Sequence, residues 1–154
     1  MQTRTAPSRT DPRLAAWRAF LRAHATVVRE LERELQAEQG MALTDYDVLV
    51  QLAGADGRRL RMSELADRLL LSRSGVTRLV DRLVAAGMVE RLTCDDDRRG
   101  QWASLTDAGL QRLRDATPTH LRGVAEHFLD RLSPEELGSL EGALGRVVDE
   151  RPPL

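Results

Sequence analysis

The sequence predicts an all-α protein with one small β-hairpin, and three observations lead to this prediction. Over most of the chain, apolar residues recur at spacings of three and four, the pattern of a helix with one buried face. Residues 88–93 and 101–105 read instead as short extended runs, separated by the turn-forming sequence C-D-D-D-R-R-G. The length of 154 residues suits one compact unit, and with aromatic residues at only 3% its core must be mainly Leu, Val and Ala.

The first predicted helix covers residues 12–38. Pro12 suits its first turn, because proline has a helical φ and that turn does not need its N–H. The inward positions form a coiled-coil-like seam with alternating steps of three and four: Leu14, Trp17, Leu21, His24, Val28, Leu31 and Leu35. A seam of this length needs a surface to pack against, either the core of the same chain or a second subunit.

Three shorter elements follow. Thr44, with Asp47 three residues later, predicts the cap of a second helix. After a loop with two glycines, Leu60 and Arg61 predict a short edge strand that pairs with the hairpin. Residues 62–69 predict the first helix of a helix–turn–helix, with inward side chains at Leu65, Ala66 and Leu69.

The next predicted helix has a clear start and end. The Ser72 side chain can accept an otherwise unpaired backbone N–H, and Gly87 can adopt the left-handed conformation that ends a helix. One face of this helix is an apolar stripe of Val76, Leu79, Val80 and Leu83. The other face carries hydrogen-bond donors suited to phosphates and base edges, namely Ser72, Arg73, Ser74, Thr77, Arg78 and Arg82.

An arginine-bearing helix followed by a hairpin with Arg98 and Arg99 at its tip is the layout of a winged helix–turn–helix. In that layout the helix enters the major groove of double-stranded DNA and the hairpin reaches a flanking minor groove. The alternative is a helical small-molecule-binding module whose arginine face is only a solvated surface. The hairpin and the preceding helix favour DNA binding. The net charge is −1, but residues 58–100 hold ten Arg against seven Asp and Glu, so the positive charge is local.

Three motifs in order resemble the MarR family of bacterial transcription regulators. They are S-E-L-A-D-R-L-L-L-S-R-S-G-V-T-R-L-V-D-R-L-V-A-A-G-M-V-E-R at 63–91, D-D-R-R-G at 96–100 and L-T-D-A-G at 105–109. The resemblance implies a homodimer that represses transcription from a pseudo-palindromic operator. It makes residues 44–106 the DNA-binding lobe and the helices within 12–38 and 107–150 the dimerisation region. It also implies that Arg99 reaches the minor groove and that Asp97 orients it.

The C-terminal part of the chain is predicted to be helical. Thr106 can cap the helix after the hairpin, and Pro118 is predicted to kink or interrupt it. The sequence S-P-E-E at 133–136 starts a last helix with a cap, a proline in the first turn and a capping-box carboxylate. Residues 1–10 and 151–154 are predicted to be flexible tails.

The resemblance also implies a site for a small aromatic acid or a phenolic effector. Five residues are candidates for lining it: Trp17, His24, Tyr46, Asp47 and His120. The simpler interpretation of Trp17 and His24 is that they belong to the apolar seam. Trp17 and Asp47 match part of the urate-responsive pattern, but Leu79 stands where that pattern has an arginine, which argues against urate. The remaining alternatives are an activator and a DNA-binding regulator without an effector.

Other function classes find little support. No phosphate-binding glycine motif is present, and His120 and His127 are spaced too widely for typical metal ligands, so neither an enzyme nor a cofactor nor a metal is expected. No apolar run approaches the ~20 residues of a membrane span, and no signal-peptide core is seen. One cysteine cannot form an internal disulfide, so a cytoplasmic protein is expected.

Two single residues carry their own predictions. Asp81 lies on the DNA-facing helix, where a carboxylate would repel phosphate, so it is predicted to pair with a nearby arginine such as Arg91. Cys94 is followed directly by three aspartates, whereas a reactive thiolate requires neighbouring cations. We therefore expect mild oxidation to leave DNA binding unchanged.

Overall fold

The structure is a computed structural model that describes residue 6, residues 8–93 and residues 101–149. The described residues form helices α1 Leu14–Gln39, α2 Leu43–Ala53, α3 Met62–Leu69, α4 Arg73–Ala85, α5 Asp107–His127 and α6 Pro134–Asp149, and strands β1 Arg59–Arg61, β2 Val89–Thr93 and β3 Gln101–Leu105. The predicted all-α fold with a small hairpin is confirmed. No helix in this part of the chain is both long enough and apolar enough to cross a membrane.

The described residues divide into two compact units. One is drawn from residues 1–31 and 124–154, and the other from residues 32–123. The second unit therefore contains the end of α1, the whole segment from α2 to β3, and α5 as far as Gly123. The assignment of the terminal helices to dimerisation stays a prediction. The predicted tails fall largely outside the described residues.

The core of the second unit uses the predicted apolar stripes. The α4 stripe is buried, with exposures of 1% at Val76, 7% at Leu79 and 0% at Val80 and Leu83. Leu65 and Ala66 of α3 and Leu49 and Leu52 of α2 are also buried. Because these stripes are continuous on their helices, burying them stabilises α2, α3 and α4 together.

The sheet is antiparallel with the strand order β1-β3-β2. Leu60 of β1 pairs with Ala103 of β3, and Ala103 pairs in turn with Arg91 of β2. Leu60 and Ala103 are buried, so this row of the sheet faces the core. The predicted short edge strand beside the hairpin is confirmed.

Local capping sets both ends of α4 and the start of α6 as predicted, whereas α1 begins at Leu14, two residues after the predicted start at Pro12. The Ser72 hydroxyl accepts the Gly75 N–H at 3.1 Å, and Gly87 has a φ of +72° just after α4. At α6 the Glu136 N–H donates to the Ser133 hydroxyl at 3.2 Å, and the Ser133 N–H donates to the Glu136 carboxylate at 2.8 Å. Each interaction satisfies a backbone group that the first or last turn leaves without a helical partner.

Packing overrides one local prediction at α2 and part of another at α5. Thr44 does not cap α2, which begins one residue earlier, and the Glu32 carboxylate from α1 accepts the Leu43 N–H at 2.7 Å. Pro118 does not interrupt α5, which runs from Asp107 to His127, so that part of its prediction is wrong, whereas the alternative of a kink stays a prediction. The neighbouring Ala116 and Thr119 are 0% and 4% exposed, so burial on both sides of the proline holds the helix together.

The turn between α3 and α4 contains an unusual leucine. Leu70 has a φ of +54° and is 79% exposed. The Leu71 N–H donates to the Ala66 carbonyl at 3.0 Å and the Leu70 N–H to the Asp67 carbonyl at 3.2 Å, which is a Schellman end. Glycine is the usual residue here, because a side chain in this conformation costs about 1–2 kcal/mol. Packing of the two helices sustains the turn despite that cost.

Candidate nucleic-acid interface

The exposed face of α4 carries the donors expected from the sequence. Ser72, Arg73, Ser74, Thr77 and Arg78 are all exposed, opposite the buried stripe. Two of them turn back onto their own helix: the Thr77 hydroxyl donates to the Arg73 carbonyl at 2.8 Å, and the Arg78 Nε donates to the Ser74 carbonyl at 3.5 Å. The Arg73 guanidinium has no hydrogen-bond partner among the residues that the structure describes. Among the basic groups of α4, the Arg73 guanidinium can therefore bind an external acceptor without breaking a hydrogen bond within the described residues.

Arg82 has a partner within the protein. Its Nη2 lies 2.5 Å from Oδ1 of Asp45, a carboxylate with a side-chain exposure of only 14%. This ion pair ties α4 to the first turn of α2, over a sequence separation of 37 residues. The prediction that Arg82 contacts DNA stays untested, and the structure assigns its guanidinium a positional role in the free chain.

The predicted pair of Asp81 and Arg91 is present. Arg91 Nη2 donates to Oδ1 of Asp81 at 2.7 Å and also approaches the Thr77 carbonyl at 3.4 Å. Arg91 Nη1 donates to Oε1 of Gln101, across the hairpin, at 2.5 Å. The sequence indicated the carboxylate partner by its charge but did not indicate Thr77 or Gln101.

A second connection joins the end of α4 to the start of α5. The Thr106 hydroxyl donates to the Gly87 carbonyl at 2.8 Å and accepts the Gly109 N–H at 3.0 Å, as predicted for a cap. The Thr106 N–H donates to the Met88 carbonyl at 3.1 Å. A Cβ atom on Gly109 would overlap that Met88 carbonyl oxygen. The threonine and glycine of L-T-D-A-G therefore join the turn after α4 to the start of α5, a role that sequence reasoning did not identify.

The tip of the hairpin, residues 94–100, lies outside the residues that the structure describes. Asp97, Arg98, Arg99 and Cys94 lie outside the described residues, so their predicted roles stay untested. The described part of the sheet adds two basic groups that the sequence-based list omitted. Arg59 and Arg61 lie over the Trp102 ring, with their guanidinium carbons 5.2 and 4.9 Å from its centroid. Their spacing of two residues on a strand was the available signal, since such residues share a face.

Tyr46 and His120, two of the candidate effector residues, meet in the second unit. Their rings stack with centroids 4.4 Å apart, and Tyr46 is only 5% exposed. Burial lowers the pKa of His120, so the imidazole is neutral at neutral pH. Its Nδ1 is buried and finds no hydrogen-bond partner within the described parts of the chain. The stack thus combines an aromatic surface with an unsatisfied polar atom.

The other three candidates differ from the stacked pair in charge or in exposure. Burial, and secondarily the charge of Glu32, raises the pKa of the Asp47 carboxyl. Trp17 and His24 lie on α1 in the other unit, where Phe20 stands between them with ring centroids at 6.0 and 6.2 Å. Both are exposed, and Trp17 is 55% exposed, so within one chain they do not form a buried core.

Comparison with known proteins gives consistent similarities. A family model described as "MarR family" matches residues 39–100. The chain is 32% identical over 124 residues to the uncharacterized HTH-type transcriptional regulator YkoM of Bacillus subtilis, covering 80% of this chain and 78% of that protein. Two solved structures from Streptomyces coelicolor, both MarR family transcriptional regulators, are similar over nearly their whole length. Sco3205, in complex with DNA, has a TM-score of 0.86 at 38% identity and covers 96% of this chain and 92% of its own. AbsC has a TM-score of 0.83 at 36% identity, with coverages of 94% and 96%.

Proposed function

This chain belongs to the MarR family of transcriptional regulators, and on that premise we propose that it is a homodimeric repressor that binds a pseudo-palindromic operator in double-stranded DNA. The observation that carries the proposal is the two-sided character of α4. One side is buried and holds the helix in place, whereas the other presents Arg73, Ser74 and Thr77 to solvent. A similar regulator has been solved in complex with DNA, which supports the same role for this chain.

The geometry of α4 suits the major groove. Its 13 residues make a rod of about 20 Å, and an α-helix with its side chains fits a groove about 12 Å wide. The N-terminal residues of such a helix reach the base edges. An arginine that contacts guanine through both nitrogens discriminates against a wrong base by about 1–3 kcal/mol. Arg73, at the first position of α4, is therefore the proposed base reader.

The exposed apolar side chains of the first unit support the homodimer. On α1, Trp17, Phe20 and Leu21 are 55%, 42% and 44% exposed, and on α6, Val147 and Val148 are 71% and 69% exposed. Apolar side chains grouped on a helix face mark an interaction surface in a soluble protein. A dimer also suits operator symmetry, because two reading helices must lie about 34 Å apart to enter successive major grooves.

DNA binding and assembly can be tested in one experiment. We expect light scattering to give a dimer at micromolar concentration and two chains per operator-length duplex, with the duplex taken from selection on a random pool. The affinity should fall steeply between 50 and 200 mM salt, because phosphate contacts release counterions. A folded monomer would contradict the homodimer. Binding that is equally weak for selected and scrambled duplexes would contradict sequence-specific recognition.

The stack of Tyr46 and His120 supports response to a small aromatic acid or a phenol. A planar ring can stack on the half-buried imidazole, and a carboxylate or hydroxyl can satisfy the buried His120 Nδ1, which lacks a partner in the described residues. Trp17, His24 and Asp47 remain candidates from the sequence. The repressor would then release its operator when the effector binds.

Effector response can be separated from DNA binding at His120. We expect benzoate or a simple phenol to release the operator from the wild-type protein in a saturable way. His120→Phe keeps an aromatic ring beside Tyr46 but removes both ring nitrogens, so operator binding should persist and release should weaken by about tenfold. If His120→Phe still released with wild-type sensitivity, the effector would bind elsewhere. If neither benzoate nor the phenol released the operator from the wild type, the proposed class of effector would be wrong.

A further inference from the structure

Arg91 makes contacts that an ordinary surface arginine does not make. It lies on β2, and its side chain is 24% exposed. In the sheet Arg91 pairs with the buried Ala103, in the row that includes Leu60. Its side chain therefore projects from the face of the hairpin that packs against the core. The guanidinium is thus held between the hairpin and α4.

The Arg91 guanidinium donates hydrogen bonds to two other elements, α4 and β3. Its Nη2 contacts α4 at successive turns, through the Asp81 carboxylate at 2.7 Å and the Thr77 carbonyl at 3.4 Å. Its Nη1 contacts Gln101 of β3 at 2.5 Å. Only arginine presents several donors in one rigid plane, so lysine at this position could not serve the three acceptors together.

Besides the pairing of β3 with β1, two sets of contacts attach the hairpin to α4, and those of Arg91 are the second. The first is the turn after α4, where the Met88 N–H donates to the Leu83 carbonyl at 3.0 Å. From β2 Val89 to Thr93 the strand extends about 16 Å, so a pivot of about 10° at the turn would move its end by about 3 Å. The pairing of β3 with β1 limits this pivot from the far edge of the sheet, and the contacts of Arg91 fix the outer strand β2 directly to α4.

We propose that Arg91 is a positioning residue that sets the angle of the β2–β3 hairpin against α4, so that both elements meet DNA in one fixed geometry. The same contact neutralises Asp81, an acid on the helix face that carries Thr77 and Arg78. This inference rests on the proposed DNA-binding function and adds a coupling between its two reading elements. It assigns Arg91 no direct contact with DNA.

The test uses four variants of the full-length dimer. Arg91→Gln removes both the positive charge and the planar guanidinium with its several donors. Arg91→Lys keeps the charge but replaces the planar group by an ammonium. The double variant Asp81→Asn, Arg91→Gln also removes the Asp81 carboxylate, which loses its ion-pair partner in Arg91→Gln. Arg114→Gln is the matched control, since Arg114 is an exposed arginine on α5 and its loss changes the net charge equally.

In the free protein, hydrogen exchange reports how firmly the hairpin is held, because an amide exchanges when its hydrogen bond opens. In Arg91→Gln and Arg91→Lys, the β2 and β3 amides should exchange at least about tenfold faster, while the α4 amides and the urea midpoint stay near wild type. Arg114→Gln should match the wild type throughout. Unchanged hairpin exchange in Arg91→Gln would overturn the proposal. Full retention of wild-type exchange rates in Arg91→Lys would show that the planar guanidinium is not required.

Duplex selection supplies the second measurement. Arg91→Gln should bind about tenfold more weakly and lose sensitivity to the A·T content of the flanks, while its preferred core sequence is unchanged. The double variant should stay weak. Its recovery to wild-type affinity would show that Arg91 acts only by covering Asp81, and would overturn the positioning role. Failure of the wild type to select any duplex would contradict the proposed function, whereas the exchange measurement would still decide whether Arg91 restrains the hairpin.

Discussion

Gly109→Ala is expected to destabilise the protein by about 3 kcal/mol, at the upper end for inserting one methyl group into a packed site. The new Cβ would overlap the Met88 carbonyl oxygen and approach Leu105 Cδ1 at 2.8 Å. The obstacle is largely backbone, so no side-chain rotation relieves it. Either α5 or the Gly87–Met88 turn must move. Because the Thr106 N–H donates to that same Met88 carbonyl, the movement also breaks the hydrogen bond at the start of α5.

Urea unfolding at a fixed protein concentration measures this effect, since the stability of a dimer depends on concentration. Gly54→Ala is the matched control in the same unit. Gly54 has an ordinary helical φ of −82°, and a Cβ there would meet only the Val50 carbonyl oxygen at 3.6 Å. The control should unfold at or slightly above the wild-type midpoint. If Gly109→Ala unfolded with the control, the close approach of α5 to Met88 would be wrong.

Arg73→Ala is expected to relax operator specificity at one or two positions in each half-site, at a loss of about 1–3 kcal/mol against the preferred base. Arg73 is exposed at the first position of α4, and its guanidinium finds no acceptor among the described residues. Arg78 instead approaches the Ser74 carbonyl, and Arg82 is paired with Asp45. Arg73 therefore loses the least internal bonding when it binds a base.

Arg99→Ala gives the informative comparison, although the residue lies outside the described part of the chain. A wing arginine in the minor groove mainly senses groove width, so its loss should weaken binding with little change in the preferred core sequence. Duplex-selection profiles and salt slopes for both variants, beside Arg114→Ala, separate the two roles. An unchanged profile in Arg73→Ala would remove it as a base reader. An unchanged affinity in Arg99→Ala at physiological salt would mean that the hairpin is not a DNA-contacting wing.

The sequence by itself determined the features that depend on residues within one helical turn of each other, namely helix caps and buried stripes. Ser72, Thr106 and Ser133 each cap a helix by bonding to a residue three positions away, so their patterns were sufficient. The α4 stripe was equally readable, because helical spacing places its members on one face. The pairing of Asp81 with Arg91 followed from charge, since an acid on a DNA-facing helix requires a partner.

Only the tertiary structure decided which remote groups meet. Glu32 replaced the expected Thr44 cap, Asp45 took the guanidinium of Arg82, and Met88 lies where any side chain at position 109 would stand. Tyr46 and His120 were both candidates, yet their stacking depends on how α2 packs against α5. Local patterns encode which face of a helix is buried. The distance and angle between two buried faces arise from how all the side chains between them fill space, and no short stretch of sequence contains that information.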